Sequence, residues 1–170
     1  MFELESKKPE EITITTKNKS ATINFVDYAV DAGLEVGPIK GPGEFEIGDI
    51  AIRGIATPIK GSSADDIADG EADGKTPALS GKTIYDVEVG GVHIGIIGDI
   101  EQGLDDLGVS DILCTSSVRA VREIEPKLVV ATGNIDGMVS ELKLTARTEK
   151  KLKVKNADSL PMTLEVVALN

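Results

Sequence analysis

Two segments decide the fold of this chain: G-P-G-E-F-E-I-G-D-I-A-I-R-G-I, from Gly41 to Ile55, and T-I-Y-D-V-E-V-G-G-V-H-I-G-I-I-G-D, from Thr83 to Asp99. In both, apolar and polar side chains alternate with a period of two, the pattern of a strand with one face in a core. Gly48-Asp49 and Gly90-Gly91 interrupt the alternation and suit the positive φ of a tight hairpin turn. We therefore predict two antiparallel hairpins.

The residues on either side extend this pattern. Alternation at Ile12 and Ile14, resumed from Ala21 to Phe25, predicts an opening hairpin. Leu164 to Leu169 reads as an apolar terminal strand, which could pair with a neighbouring chain if it lay at a sheet margin.

A strand, helix, strand unit is predicted after the second hairpin. Ile112 to Cys114 is a short buried strand, and Ser116-Ser117 can cap a helix whose apolar residues share one face. Glu125-Pro126 ends that helix. The apolar run Leu128 to Ala131 is typical of a strand buried on both faces.

Composition limits the class of protein. A chain of 170 residues can form one domain, residues 1–170, with a core of its own. The single cysteine, Cys114, excludes an internal disulfide and fits a reducing compartment, so we expect a cytoplasmic protein. No apolar run approaches the ~18 residues of a spanning helix. A net charge of −11 disfavours nucleic acid and anionic membranes as partners.

The stretch from Ile59 to Gly81 is rich in Gly, Ser, Asp and Ala and nearly lacks large apolar side chains. This composition predicts a mobile loop within the domain. Its acidic residues do not follow the ligand spacing of an EF-hand calcium loop, so we expect them to be solvated.

Four motifs in this order resemble the metallo-β-lactamase superfamily, in particular the branch of ascorbate-6-phosphate lactonase. They are G-P-G-E-F-E from Gly41, T-I-Y-D-V-E from Thr83, Gly98-Asp99, and E-P-K-L-V from Glu125. The resemblance implies a mixed α/β (α+β) fold, a two-sheet sandwich flanked by helices, here in a shortened form.

The same resemblance implies that the metal ligands are missing. The family places an H-x-H-x-D-H loop between the opening hairpin and G-P-G-E, whereas this chain runs from Phe25 directly to Leu34 without one. The family's later histidine falls on Gly133, and another falls near Ile59. Asp99, which in active relatives bridges the metals, is the only vestige of the site, and one carboxylate cannot retain a transition metal.

Other candidate residues point to structure rather than chemistry. His93 lies in mid-strand and is expected on the solvent-facing or inter-element side. Cys114 lies in an apolar strand, where a thiol is inert. Asp99 can accept turn amides after Gly98. Glu44 and Glu46 share one face of a strand that the resembling family uses as scaffold.

We therefore expect a degenerate, metal-free hydrolase fold, a pseudoenzyme with no catalytic residues and no cofactor, that serves as a binding or assembly module. Its expected partner is a second copy of the chain or another protein, because a trimmed layered fold leaves apolar surface uncovered. The alternative is a residual metal-dependent hydrolase. It would take ligands from a partner chain or use an atypical carboxylate site of Asp27, Asp99 and Glu44.

Overall fold

The computed structural model describes residues 1–35, 37–57 and 81–170, and these form two β-sheets with helices on one side. The strands are β1 (Phe2–Glu5), β2 (Glu11–Thr15), β3 (Ser20–Asn24), β4 (Ala29–Asp31), β5 (Ile39–Lys40), β6 (Gly43–Ile47), β7 (Ile50–Ala56), β8 (Thr83–Val89), β9 (Val92–Gly98), β10 (Ile112–Thr115), β11 (Leu128–Ala131), β12 (Ala146–Glu149), β13 (Leu152–Val154) and β14 (Glu165–Leu169). The helices are α1 (Val118–Ile124) and α2 (Ile135–Leu142), with 3₁₀ turns at Leu104–Asp106 and Ala157–Ser159.

The first sheet has six strands in the order β13-β1-β2-β3-β4-β5, all antiparallel. The second has eight in the order β12-β14-β11-β10-β9-β8-β7-β6, antiparallel from β6 to β9 and parallel from β9 to β12. This mixed two-sheet architecture confirms the predicted fold class.

All three predicted hairpins are present. β2 pairs with β3, β6 with β7 around Gly48, and β8 with β9 around Gly90-Gly91. The three glycines have φ values of 68°, 59° and 74°, which residues with a side chain rarely adopt. The strand, helix, strand unit is confirmed as β10-α1-β11, with Ser117 accepting a hydrogen bond from the Ala120 amide at the start of α1.

Two cores hold these layers together. An inter-sheet core includes Leu4 and Ile14 from the first sheet and Val87 and Ile94 from the second. A helix-side core lies on the other face of the second sheet, where α1 and α2 pack over β9, β10, β11 and β14. Neither helix of the described ranges, at seven and eight residues, is long enough to cross a membrane.

The apolar strand predicted at Leu164 to Leu169 lies inside a sheet, not at its margin. β14 lies between β12 and β11 and pairs with both, so it has no free edge for a neighbouring chain. Val166 faces the helix-side core and Val167 the inter-sheet core. The prediction that Leu164 to Leu169 mediates edge-to-edge pairing is therefore wrong; the margin is β12 instead.

The residues from Ile59 to Gly81, predicted to form a mobile loop, lie almost entirely outside the described residues. The two sides of that stretch meet: the Thr57 amide and Thr57 Oγ1 both donate to the Lys82 carbonyl, at 2.8 and 2.9 Å. β7 and β8 are therefore held together as far as Thr57 and Lys82.

Candidate functional site

A cleft of about 440 Å³ opens at the carboxyl ends of β9, β10 and β11. Asp99 follows β9, Ser116 follows β10, and Thr132-Gly133 follows β11. The carboxyl ends of parallel strands are where sheets of this kind commonly bind ligands, because loops from neighbouring strands converge there. This strand-end cleft contains Asp99, the one candidate metal ligand of the sequence, so its chemistry decides whether the fold can act as a metallohydrolase.

Asp99 points outward in this cleft. Its side chain is 78% exposed, and Lys82 Nζ lies 3.6 Å from its Oδ1. We expected the carboxylate to accept turn amides, but within the described residues none donates to it, and the turn is closed by the Ile100 amide donating to the Ile97 carbonyl. The expectation is wrong for the described residues, because the exposed Asp99 carboxylate faces Lys82 instead of a backbone amide.

The floor of the cleft is apolar and tightly filled. A Cβ added to Gly98 would lie 2.7 Å from Phe25 Cδ2, so the Phe25 ring rests directly on the Gly98 backbone. The Gly98 carbonyl is occupied as well, accepting from Thr115 Oγ1 at 2.8 Å and from the Ser116 amide at 2.9 Å. The backbone carbonyl at the end of β9 is therefore used in hydrogen bonds within the fold.

The three carboxylates of the alternative site are not brought together. Asp99 lines the strand-end cleft, next to Val26 and Tyr28, which flank Asp27. Glu44 lies on β6, opposite Arg53 in the β6–β7 register, and lines a different cleft. Within the described residues no group of three or more His, Cys, Asp or Glu side chains could hold a metal ion. The proposed cluster of Asp27, Asp99 and Glu44 is therefore wrong.

A second cleft of about 460 Å³ lies on the helix-side face of β6 to β9, beyond the area that α1 and α2 cover. We call this surface the outer sheet face. The strand registers place its side chains in two rows across the sheet. One row is Glu46, Ala51, Glu88 and His93, and the other is Glu44, Arg53, Asp86 and Gly95.

Asp86 organises the middle of this face. Its Oδ2 accepts from Arg53 Nη2 at 3.2 Å, and its Oδ1 lies 3.5 Å from His93 Nδ1. The same Arg53 nitrogen also donates to the Asp106 carbonyl, which ties the face to the 3₁₀ turn. The His93 side chain is 43% exposed, confirming its predicted solvent-facing position. Its imidazole lies beside Asp86 on the outer sheet face.

Cys114 lies on β10 and is buried, as its apolar strand predicts. Its side chain is fully buried in the inter-sheet core, and burial raises the pKa of the thiol to about 12. A thiol with such a pKa is not a nucleophile near neutral pH. Cys114 therefore contributes to packing.

The outer sheet face escaped the sequence prediction although it left a signal, whereas Lys82 left none. The alternation of β7, β8 and β9 already places Arg53, Asp86 and His93 on the side opposite the core residues. Lys82 directly precedes β8, and only the pairing of β8 with β9 brings it near Asp99. Local patterns do not report that pairing geometry.

The fold is shared with a solved structure. A protein from Thermotoga maritima, described as a Zn-dependent hydrolase of the metallo-β-lactamase superfamily, aligns with this chain at a TM-score of 0.61. The alignment covers 100% of both chains at 12% sequence identity, and likeness at that identity supports the fold alone. No protein-family model matches the sequence, and none of the curated proteins matches it.

The residues of the strand-end cleft do not fit a zinc ion. Zinc needs at least three nitrogen, sulfur or carboxylate donors in a fixed geometry. Here the described residues that line the cleft supply two carboxylates, Asp99 and Glu10, with the hydroxyl residues Ser116 and Thr132 and the side-chain-free Gly133, but neither histidine nor cysteine. The ammonium of Lys82 beside Asp99 would also repel a divalent cation.

Proposed function

We propose that this chain is a non-catalytic member of the metallo-β-lactamase fold that works as a protein-binding or assembly module in the cytoplasm, without a bound metal. Two cores and the paired strands preserve the architecture, while the strand-end cleft has lost the chemistry that a metallohydrolase requires. Evolutionary selection for a binding surface rather than for a catalysed reaction would keep the architecture without the metal-binding residues.

The single observation that carries the proposal is the ion pair of Lys82 and Asp99. A carboxylate that serves a metal must face other ligands, whereas Asp99 faces the ammonium group of Lys82 at 3.6 Å. Any metal would have to displace that charge and would find two carboxylates, Asp99 and Glu10, with neither histidine nor cysteine among the described residues of the cleft.

A second candidate function is a residual hydrolase that takes its missing ligands from a partner chain. The observation in its favour is the 78% exposure of Asp99, which leaves the carboxylate accessible from outside. The two candidates differ in what the purified protein should contain, because a metal shared between chains would co-purify with the assembly.

Elemental analysis of the full chain, purified from medium supplemented with zinc, iron and manganese, separates these functions. We expect no stoichiometric metal in the wild type, in Lys82→Ala, or in the charge-preserving control Lys82→Arg. Metal at about one ion per chain or per pair of chains would contradict the proposal. Hydrolysis of lactone or phosphodiester substrates that disappears in Asp99→Asn would favour the residual hydrolase.

A further inference from the structure

We infer that two copies of this chain pair through the open edge of β12, antiparallel and about a two-fold axis at Thr148. The inference rests on the proposed function and names the partner of the assembly module as a second copy of the chain. It replaces the contact predicted for the terminal strand, which the interior position of β14 excludes. The pairing would join two eight-stranded sheets into one continuous sheet.

The backbone of β12 has one row of hydrogen-bonding groups that faces no other strand of the described residues. β12 pairs with β14 on one side, and no described strand pairs with its other side. The Asn170 amide donates to the Glu149 carbonyl at 3.1 Å, so the backbone groups of Glu149 face β14. Successive residues of a strand direct their N–H and C=O groups to opposite sides. The N–H and C=O groups of Thr148 therefore point to the open edge.

The side chains of β12 are complementary to a second copy of the same strand. In an antiparallel pair about Thr148, the two Thr148 residues exchange both of their backbone hydrogen bonds. The register then places Arg147 opposite the partner's Glu149, and opposite charges at directly facing positions stabilise an antiparallel pair. An axis at Arg147 or at Glu149 would instead set like charges against each other. The charges of β12 therefore favour the axis at Thr148.

The ion pairs that Arg147 makes within its own chain are compatible with this contact. Its Nη1 lies 2.8 Å from Glu149 Oε1 and its Nε lies 3.6 Å from Glu165 Oε2, while the side chain is 49% exposed. A guanidinium group has several N–H donors in a fixed plane, so it can contact a further carboxylate. Two copies would form a cluster in which arginine and glutamate charges alternate around the axis. The contact thus adds attraction without separating an existing ion pair.

The three other margins of the two sheets do not complement themselves in this way. An axis at Phe45, the centre of β6, would set Glu44 opposite the partner's Glu46. An axis at Lys153, the centre of β13, would set this lysine opposite the partner's Lys153. β5 consists of two residues only, Ile39–Lys40. Among the described margins, a second copy therefore meets attraction at β12 and repulsion at β6 and β13.

The expected dimer is weak and closed. A strand of four residues buries little surface, and the net charge of −11 repels two copies at long range. We therefore expect a reversible dimer that forms at high micromolar to millimolar concentration. Because each copy contributes the same surface, the contact ends at two copies and does not propagate into a fibre.

Hydrogen exchange of backbone amides, measured by NMR on the full chain, locates the contact. The Thr148 amide should exchange roughly tenfold more slowly when about 90% of the chains are dimers, because exchange then proceeds through the monomer. The Glu46 amide at the β6 margin is the matched control. It faces away from β7, since Ile47 and Ile50 flank the tight turn as a hydrogen-bonded pair. Its exchange should not change with concentration.

Variants of β12 test the register by sedimentation equilibrium, with circular dichroism to verify that each is folded. Thr148→Pro removes an N–H that faces away from β14, so it should abolish the dimer and spare the fold. Thr148→Val keeps that N–H and should preserve the dimer. Arg147→Glu and Glu149→Arg should each be monomeric, because each sets like charges across the axis. An equimolar mixture of these two variants should form heterodimers, because opposite charges then face each other again.

A wild type that stays monomeric at millimolar concentration would overturn the inference. So would a dimer that Thr148→Pro leaves intact, a mixture of the two charge variants that stays monomeric, or slowed exchange at Glu46 instead of Thr148. None of these results affects the proposed function, which fails on stoichiometric metal or hydrolysis. The two sets of measurements are therefore independent.

Discussion

Lys82 Nζ lies 3.6 Å from Asp99 Oδ1, across the end of the β8–β9 hairpin. Both side chains are more than half exposed, so water screens the pair and its contribution to stability is small. The pair matters more for what it prevents, because it places a positive charge at the strand ends where a metal-binding carboxylate would need to be free.

Asp99→Asn should therefore lower the free energy of unfolding by less than about 1 kcal/mol. The amide retains the size of the side chain and loses only an exposed charge. Urea denaturation of wild type and variant gives the comparison, with Asp27→Asn as a control at another exposed aspartate. A loss above about 2 kcal/mol would show that Asp99 supports the fold in a way that its exposure does not suggest.

Gly98→Ala should markedly lower the free energy of unfolding. The alanine would have to adopt φ 58°, and its Cβ would lie 2.7 Å from Phe25 Cδ2. Gly90→Ala is a matched control, since Gly90 has φ 59° and nothing within 4 Å of its Cβ position. The control should show only the backbone cost of about 1–2 kcal/mol. Gly98→Ala should add a further ~1–3 kcal/mol of overpacking in thermal or urea denaturation; equal losses would contradict the Phe25 contact.

Asp111 should make the free energy of unfolding depend on pH in the acidic range. Burial acts to raise the pKa of this carboxyl, but Lys127 Nζ at 2.8 Å and the His93 amide at 3.2 Å outweigh it and hold the pKa below its usual value. A lowered pKa in the folded state adds stability above the unfolded value of about 3.9, and this contribution is lost as the pH falls through the folded value.

Asp111→Asn should accordingly cost about 1–3 kcal/mol at neutral pH, and the difference from wild type should shrink below about pH 4. Denaturation curves at several pH values measure this. Asp105→Asn, at an exposed position, should show no comparable difference at either pH. A constant gap between wild type and Asp111→Asn down to pH 2 would argue against the ionic role of Asp111.

The Cys114 thiol should not react with a thiol reagent in the native protein. Its side chain is fully buried, and burial raises its pKa to about 12. Ellman's reagent at pH 8 should detect no thiol within minutes and one thiol per chain after denaturation in guanidinium chloride. Rapid labelling of the native protein would show that β10 opens to solvent.

Replacing Ser62 to Pro77 with a short Gly/Ser linker should change the melting temperature by no more than about 3 °C. Thr57 and Lys82, which flank the replaced segment, are hydrogen-bonded to each other and hold the described ends of β7 and β8 together. Differential scanning calorimetry measures the change. A larger fall would show that the replaced residues contribute packing energy.

The sequence predicted the elements that local physics determines. Gly48 and Gly90-Gly91 favour the turns in which they lie, and Ser117 caps α1. The apolar run Leu128 to Ala131 indicates a strand buried on both faces. That no metal binds in the strand-end cleft stays a prediction from the residue types present. α2 was missed despite Ile135, Met138, Val139 and Leu142 on one face, because Gly137 interrupts the pattern.

Long-range arrangement was harder to predict. The apolar sequence of β14 fits a strand at the margin of a sheet as well as one in its interior. Its interior position is known only from its parallel pairing with β11 on one side and β12 on the other. A test such as Val167→Lys would for this reason probe the core rather than an interface, because Val167 is fully buried. The Lys82–Asp99 pair likewise depends on tertiary approach.

The position of β13 constrains the order in which a growing chain can fold on the ribosome. β1 pairs with β2 on one side and with β13 on the other, so Phe2 lies opposite Val154. β1, β2 and β3 can pair soon after synthesis, yet the outer edge of β1 stays open until β13 has emerged. A nascent chain stalled before Leu152 would expose that edge. The interval between the synthesis of β3 and that of β13 is therefore the period in which the chain is most open to misassembly and to binding by chaperones.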